Sequence, residues 1–274
     1  MLIYKQSHRI LAVAFLLTII MLHSCQGRYN STFDNALALC ENAPDSSIVL
    51  LQQCNKLEMD TEELAKYSLI YTIALDKSGY DVDNDSLIRI AYNYYNSRNN
   101  DSLYSKCQYY MGKYYMLTDS TEKAKLCLTS SYNHADQNGD LYTKCLALNA
   151  LSHIQMFVKP SESILYARQA EQFYKKYRNK TISNEVYYKL NLSESLWAAD
   201  SIDAAISECR QALRLATSSS NDSLLISNVL QDLSCFYDSK NIPDSALFYA
   251  QKSYSLKPTK DASCLQTLSS AYIS

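Results

Sequence analysis

Small residues recur at helical spacing between residues 224 and 258, and this feature constrains the fold more than any other. The segment predicts two amphipathic helices separated by a short turn. Its diagnostic positions are Leu233, Ser234, Tyr237, Ala246, Ala250, Ser253 and Pro258. Small residues at i, i+4 and i+7 form a narrow strip on one helix face, where a neighbouring helix can approach closely. The segment therefore predicts a tightly packed helical hairpin.

The composition extends this prediction to the rest of the chain. Among 274 residues there are only 4 glycines and 4 prolines, and the apolar class reaches 47%. Tight strand turns and phosphate-binding loops need glycine, so a glycine-poor chain of this length favours an all-helical fold. The apolar content is ample for a packed core and argues against disorder.

The spacing resembles the tetratricopeptide repeat, which combines a leucine, a small residue and a tyrosine in one helix with small residues and a proline in the next. The register positions Ala124, Ser163, Ala205 and Ala246 recur roughly every 40 residues, somewhat longer than the minimal repeat. The resemblance implies an all-α fold, a right-handed solenoid of helical hairpins. Earlier copies of the pattern contain Met111, Gly112, Tyr115, Ala124, Leu128 and Ser131; Leu151, Ser152, Ser163, Ala167 and Ala170; and Leu192, Ser193, Leu196, Ala205, Cys209 and Ala212.

The N-terminus has the pattern of an export signal. Lys5 and Arg9 precede an apolar run over residues 10–22, which suits a signal peptide and is short for a membrane span. The following residues, 22–25, resemble a bacterial lipobox, which implies a lipoprotein signal peptide at residues 1–24 and a lipidated Cys25. An ordinary signal peptide with an incidental cysteine is the alternative. No acidic cluster follows Cys25, so we expect a lipid-anchored envelope protein that faces the periplasm rather than the cell surface.

The remaining chain divides by its helix signals. Residues 25–60 are predicted to contain the lipidated segment and a first helix pair, with helices at Ser31–Asn42 and Asp45–Leu57. Residues 61–260 are assigned to the tetratricopeptide-like repeats, beginning with a helix at Thr61–Lys77. Residues 261–274 form either the first helix of an incomplete repeat or a C-terminal cap.

Charge and cysteine spacing exclude several functional classes. The net charge of −2 gives no electrostatic footprint for nucleic acid. The eight cysteines after Cys25 contain no C-x-x-C pair, so neither a zinc site nor a disulfide framework follows. We expect most of them to be small buried side chains within helices, and we expect no metal or cofactor.

The sequence also lacks signatures of catalysis. After the predicted signal peptide the histidines are His134 and His153, and neither has a metal-binding partner at i+3 or i+4. No nucleophile elbow, glycine-rich phosphate loop or zinc-protease motif is present. We therefore expect that the protein is not an enzyme.

The resemblance implies a binding surface, because the first helix of each tetratricopeptide hairpin lines the concave face that holds a peptide or protein segment. Packing between repeats is the alternative role at each of these positions, and it is favoured for Trp197, the only tryptophan. The candidate concave residues are Lys106, Tyr109, Lys113, Asn149, His153, Tyr187, Glu194, Trp197, Asn228 and Gln231.

The lipobox, the segment Asn42–Leu51 and the segment Asn84–Leu87 together resemble exported tetratricopeptide lipoproteins of gut anaerobes. This resemblance implies a membrane-anchored interaction scaffold for a protein or peptide. Some relatives continue into a membrane helix and a DNA-binding domain, so an alternative is the extracytoplasmic sensor portion of a transcriptional regulator. A glycan-binding outer-membrane lipoprotein is a third possibility, although the short loops argue against it.

Overall fold

The computed structural model describes residues 29–80, 86–219 and 222–257, and every regular element within these ranges is helical. The chain divides into two compact units, residues 1–101 and residues 102–274. The all-α prediction is confirmed. The predicted signal peptide, Cys25 and the segment 261–274 lie outside the described residues.

The described residues of the first unit, 29–80 and 86–101, form four α-helices and one short 3₁₀ turn. Helix α1 packs on α2, and α3 packs on α1, α2 and α4. The predicted bounds of α3 are confirmed, whereas α1 and α2 both end earlier than predicted. Helix α2 stops before residue 57 because the Asn55 side chain accepts a hydrogen bond from Leu57 N at 3.2 Å and caps the 3₁₀ turn. The elements are α1 (Asn30–Leu39), α2 (Pro44–Gln52), the 3₁₀ turn (Lys56–Glu58), α3 (Thr61–Lys77) and α4 (Ser86–Tyr95).

The start of α3 is defined by a reciprocal capping arrangement. The Glu63 backbone N–H donates to Asp60 Oδ1 at 2.8 Å, and the Asp60 backbone N–H donates to Glu63 Oε2 at 3.3 Å. Both bonds satisfy amide groups that have no partner within the helix. This local chemistry is fully encoded in neighbouring residues, which explains why the sequence predicts this helix boundary so well.

Between residues 102 and 257, the described part of the second unit is a series of four helical hairpins. In each hairpin a first helix (α5, α7, α9 or α11) packs on the second helix that follows it. Successive first helices also contact one another, whereas contacts between successive second helices are sparse or absent in the described part of the unit. The first helices therefore form the more closely packed side, which we call the inner face. The helices are α5 (Tyr104–Leu117), α6 (Thr121–Gln137), α7 (Leu141–Gln155), α8 (Pro160–Tyr174), α9 (Ile182–Ala198), α10 (Ile202–Ser219), α11 (Ser223–Ser239) and α12 (Pro243–Leu256).

The small residues of the repeat pattern lie where two helices of a hairpin meet. A Cβ atom at Gly112 would stand 2.8 Å from Leu128 Cγ, so only glycine fits between α5 and α6 without displacing that buried leucine. In the last hairpin, Ser234 Oγ donates to the Ala246 carbonyl at 2.8 Å and joins the two helices directly. These contacts confirm the close helix approach that the sequence pattern predicts.

The cysteines are mostly buried, as predicted. Cys40, Cys107, Cys127, Cys145 and Cys209 are buried, Cys54 is partly buried and Cys235 is exposed. Cys54 also lies beyond the end of α2 rather than inside a helix, because that helix stops at Gln52. Within the described residues, no helix is both long enough and apolar enough to span a membrane.

Candidate functional site

A groove with a volume of 310 Å³ opens on the inner face of the second unit. Three consecutive first helices, α7, α9 and α11, supply its walls, and the residue that follows α12 completes it. We call this feature the inner groove. Its lining residues are His153, Tyr187, Leu190, Asn191, Glu194, Asn228, Gln231, Asp232 and Lys257.

Helical periodicity explains why these side chains share one surface. On α9 the lining positions run from Tyr187 through Leu190 and Asn191 to Glu194, which are steps of three and four residues. Such steps keep side chains on one helix face. The positions on α11 follow the same rule, since Asp232 lies four residues after Asn228. Helices α9 and α11 therefore each contribute one stripe of side chains to the inner groove, and α7 contributes His153.

Two carboxyl groups dominate the electrostatics of the inner groove. Burial raises the pKa of Glu194 to about 7. Burial and the nearby charge of Glu194 raise the pKa of Asp232 well above its usual range. No hydrogen bond or ion pair stabilises either carboxylate within the described part of the chain. The two groups thus repel each other when both are ionised, and neither has a cationic partner among the described residues.

His153 on α7 is a third polar group that lines the inner groove without a bond to the described residues. Its Nε2 atom is buried and has no hydrogen-bond partner among the described residues. Burial lowers the pKa of His153, so the neutral imidazole is favoured. The ring centroid lies 6.5 Å from that of Tyr187 on the neighbouring first helix. A buried polar atom without a partner is costly, so it is an indication of a site that another molecule completes.

Other lining residues are already engaged with the protein. Asn191 Nδ2 donates to Asn149 Oδ1 at 2.6 Å, which links α9 to α7 beneath the groove. Lys257 Nζ donates to Gln231 Oε1 at 3.1 Å and holds the chain after α12 against α11. These bonds fix the groove walls, whereas Glu194, Asp232 and His153 have no such partner in the part of the chain that the structure describes.

The structure brings together five of the candidate residues that the sequence analysis named: His153, Tyr187, Glu194, Asn228 and Gln231. Their binding role stays a prediction. Four lining residues were not predicted from the sequence, namely Leu190, Asn191, Asp232 and Lys257. The helical spacing from Glu194 to Asn191, and from Asn228 to Asp232, was a signal that could have identified two of them.

The remaining candidates lie elsewhere and mostly have structural contacts. Lys106 forms an ion pair with Asp140, the residue that caps α7. Burial opposes ionisation of Asp140, but Lys106 and the Thr143 hydrogen bonds hold its pKa below the usual value. Tyr109 is buried and contacts the Tyr110 ring edge-on, while Lys113 is partly buried on the same helix.

Trp197 packs between adjacent hairpins, which is the alternative role given for it above. Its ring lies 6.2 Å from Phe157 and 6.1 Å from Phe236, measured between centroids. The indole N–H donates to Ser239 Oγ at 2.9 Å. The tryptophan therefore joins α9 to α11 instead of lining the inner groove.

A second cleft, with a volume of 290 Å³, lies between α10 and the end of α11. Its charged residues are largely paired with one another: Lys240 forms an ion pair with Asp203, and Arg210 donates to the Tyr237 hydroxyl. We call it the outer cleft. Its lining residues are Asp203, Ile206, Ser207, Arg210, Arg214, Tyr237 and Lys240.

The described residues include no group of three or more histidine, cysteine or acidic side chains arranged to hold a metal ion. The expectation that the protein carries no metal or cofactor, and that it is not an enzyme, stays a prediction. The polar groups of the inner groove are suited to hydrogen bonding and ion pairing rather than to a recognisable catalytic arrangement.

Comparisons with solved structures define the fold. The chain is similar to NprR in complex with its cognate peptide NprX, with 17% identity, a TM-score of 0.65, and coverage of 89% of this chain and 72% of that one. The apo form of the quorum sensor NprR from B. thuringiensis gives 18% identity, the same TM-score, and coverage of 89% and 69%. PilF of Pseudomonas aeruginosa gives 13% identity, a TM-score of 0.54, and coverage of 88% and 96%.

At these identities the similarity establishes the fold alone, which is an all-α helical-hairpin repeat of the tetratricopeptide type. No protein-family model matches the chain. A search of curated proteins also finds no match. The repeat architecture confirms the prediction from residue spacing. One of the proteins with a similar fold, NprR, is bound to its cognate peptide NprX.

Proposed function

We propose that this chain is an interaction scaffold that binds a protein or peptide segment in the inner groove. The observation that carries the proposal is that Glu194, Asp232 and the buried His153 Nε2 atom line one groove from three consecutive first helices, with no hydrogen bond or ion pair to the described residues. A fully buried polar atom such as His153 Nε2 normally has a hydrogen-bond partner. An extended peptide provides amide and side-chain groups along its length, and it can therefore reach all three helices.

The walls of the inner groove also suit an extended peptide. Tyr187 is 50% exposed and offers an aromatic surface for stacking. Asn228 is exposed and lies on the same rim, where its amide can both donate and accept a hydrogen bond. The NprR–NprX complex supports the proposal, since a peptide is bound there by a protein of similar fold.

The proposed site of action is the cell envelope, with the protein tethered to a membrane through a lipidated Cys25. This part of the proposal rests on the lipobox resemblance at residues 22–25. Several acyl chains, at about 0.8 kcal/mol per buried CH₂, hold a protein stably on a bilayer. Cell fractionation tests it: the wild-type chain is expected in the membrane fraction, and the variant Cys25→Ser in the soluble fraction. Equal membrane retention of both chains contradicts the lipid anchor.

A displayed library of random heptapeptides, selected on the full chain, tests the peptide-binding proposal. Enriched peptides are then measured against Asn228→Trp, which fills the inner groove from an exposed position, and against Ser207→Trp, which fills the outer cleft in the same way. We expect only Asn228→Trp to lose binding. Failure to enrich any peptide, or equal loss in both variants, contradicts the proposal, and selective enrichment of an oligosaccharide library supports glycan binding instead.

A sensor role is the second candidate, favoured by the similarity to NprR, which is described as a quorum sensor. In that case peptide binding would change the arrangement of the hairpins rather than only hold a partner. Hydrogen exchange of the described helices with and without an enriched peptide distinguishes the roles. Protection confined to the inner groove supports a scaffold, and altered protection in the distant helices α5 and α6 supports a sensor.

A further inference from the structure

We propose that Glu194 and Asp232 form a subsite for a cationic group of the bound segment, an ammonium or a guanidinium. This inference rests on the proposed function, because it names the chemistry that the inner groove selects. It goes further in assigning a residue preference, lysine or arginine, to the ligand. Asp232 was not predicted from the sequence, and only the structure shows that it lines the groove.

The geometry supports a cation rather than a neutral donor. Glu194 belongs to α9 and Asp232 to α11, so the two carboxyl groups approach the groove from adjacent first helices. Burial and the charge of Glu194 both raise the pKa of Asp232, and within the described residues no cation is paired with either carboxyl group. A ligand ammonium or guanidinium placed between them replaces this repulsion by two attractive interactions and donates several hydrogen bonds.

Two thiols lie near the carboxyl pair, those of Cys209 and Cys235. Burial, followed by the charge of Asp232, raises the pKa of both thiols, so both are neutral.

The other charged and titratable groups around the pair are few. His153 approaches from α7 with a lowered pKa, and neutral imidazole does not compete for the carboxylates. Lys257 lies on the same groove, but its ammonium is bonded to Gln231. Tyr187 contributes an uncharged aromatic surface from α9. The pair therefore faces no protein cation bonded to it in the described part of the chain.

The surroundings also favour an organic cation over a metal ion. Only two carboxyl groups meet here, and no group of three metal-ligating side chains exists in the described residues. Leu190 and Tyr187 add apolar and aromatic surface beside the carboxylates. A lysine or arginine side chain has an aliphatic stem that can pack on such surface while its charged end reaches the acids.

Three matched heptapeptide pools test the inference, with the central residue fixed as lysine, arginine or norleucine and with random flanking positions. The peptides are acetylated and amidated, and a fourth norleucine pool keeps a free amino terminus. Binding of the fluorescent pools to the full chain is measured by polarisation. For the wild type we expect the lysine or arginine pool to bind about tenfold more tightly than the acetylated norleucine pool. A preference for the fourth pool assigns the subsite to a peptide amino terminus.

The decisive variant is Glu194→Gln/Asp232→Asn, which retains the shape of the site and removes both charges. It is expected to bind all the pools with equal affinity. The matched control is Glu122→Gln/Asp244→Asn, which removes the same number of charges from exposed positions at the starts of α6 and α12 and is expected to keep the preference. Circular dichroism verifies that both double variants are folded.

The outcomes separate this inference from the proposed function. If the wild type binds every pool equally, the cationic subsite is wrong and peptide binding stands. If the preference is lost in both double variants, it reflects the overall charge and the subsite is also wrong. If no pool binds, the proposed function fails together with the subsite.

Discussion

Neighbouring residues on the same helices have opposite roles in the second unit. Ser152 of α7 and Ser195 of α9 are fully buried and meet Ser163 of α8 in a seam of mutually bonded hydroxyls. The next residue after Ser152 is His153, and the residue before Ser195 is Glu194, and both of these line the inner groove. One residue corresponds to a rotation of about 100° around a helix, so adjacent positions face different surroundings.

The two regions differ in how their polar atoms are satisfied. In the seam, Ser163 Oγ donates to Ser195 Oγ at 2.8 Å, and Ser195 Oγ lies 3.0 Å from Ser152 Oγ. In the groove, His153 Nε2 has no partner in the described part of the chain, and Glu194 lies near the like charge of Asp232. The bonded hydroxyls hold neighbouring helices together, whereas Glu194, Asp232 and His153 line the groove where we propose that an outside molecule binds. The contrast predicts that seam mutations affect stability and groove mutations affect binding.

The largest expected loss of stability comes from Ser195→Val. The valine would remove the hydroxyl bonds to Ser152 and Ser163 and add bulk where the three helices meet. The combined loss is about 3 kcal/mol in the free energy of unfolding. Urea denaturation followed by circular dichroism measures it, with Glu194→Gln as the neighbouring groove control. A midpoint close to that of the control would contradict the seam role.

The second-largest expected effect is a pH dependence of stability that arises from the carboxyl groups of the inner groove. Because the pKa of Glu194 is raised to about 7 from a normal value of 4.5, the folded chain binds more protons than the unfolded chain between these values. Stability therefore falls as pH rises through this window, by about 2 kcal/mol. The lowered pKa of His153 acts in the opposite direction, since its stabilising effect grows as pH rises towards 6.5.

Subtracting the pH profile of Glu194→Gln/Asp232→Asn isolates the carboxyl contribution, because both chains retain His153. The wild type is expected to lose stability relative to this variant between about pH 5 and pH 8. Parallel profiles would show that the two carboxyl groups titrate normally and would weaken the contrast between seam and groove.

A smaller effect is expected for Ser163→Ala, which removes one hydroxyl from the seam without adding bulk. Ser152 and Ser195 remain bonded to each other at 3.0 Å, so the loss should be about 1 kcal/mol. Thermal denaturation checks this value, and the exposed change Ser207→Ala serves as its control. A loss equal to that of Ser195→Val would mean that the three hydroxyls act as one inseparable unit.

The smallest change in stability is expected for Asn228→Ala on the rim of the inner groove. This side chain is exposed, so its removal should alter the free energy of unfolding by less than about 0.5 kcal/mol. Binding of an enriched heptapeptide should nevertheless weaken, as isothermal titration calorimetry can measure. Unchanged affinity together with unchanged stability would place the peptide away from α11.

Local signals in the sequence were sufficient for the fold but only partly for the site. The pattern of Leu233, Ser234 and Ala246 predicted a hairpin that the structure confirms, because small residues at helical spacing leave few ways to pack. The same reasoning placed Tyr109 and Asn149 on the concave binding face. In the structure both side chains are buried. Periodicity identifies residues that share a helix face, but it does not tell which neighbouring helix covers that face.

By itself, the sequence determined the helical class, the hairpin repeat and helix boundaries such as those of Thr61–Lys77, since capping and residue spacing act over a few neighbours. Only the tertiary structure decided that Asp232 of α11 lies near the charge of Glu194 of α9, and that the Asn149 side chain accepts a hydrogen bond from Asn191. The physical reason is that the rotation and separation of helices depend on the packing of all their side chains at once. The polar groups left without a partner, and therefore the candidate site, emerge only from that packing.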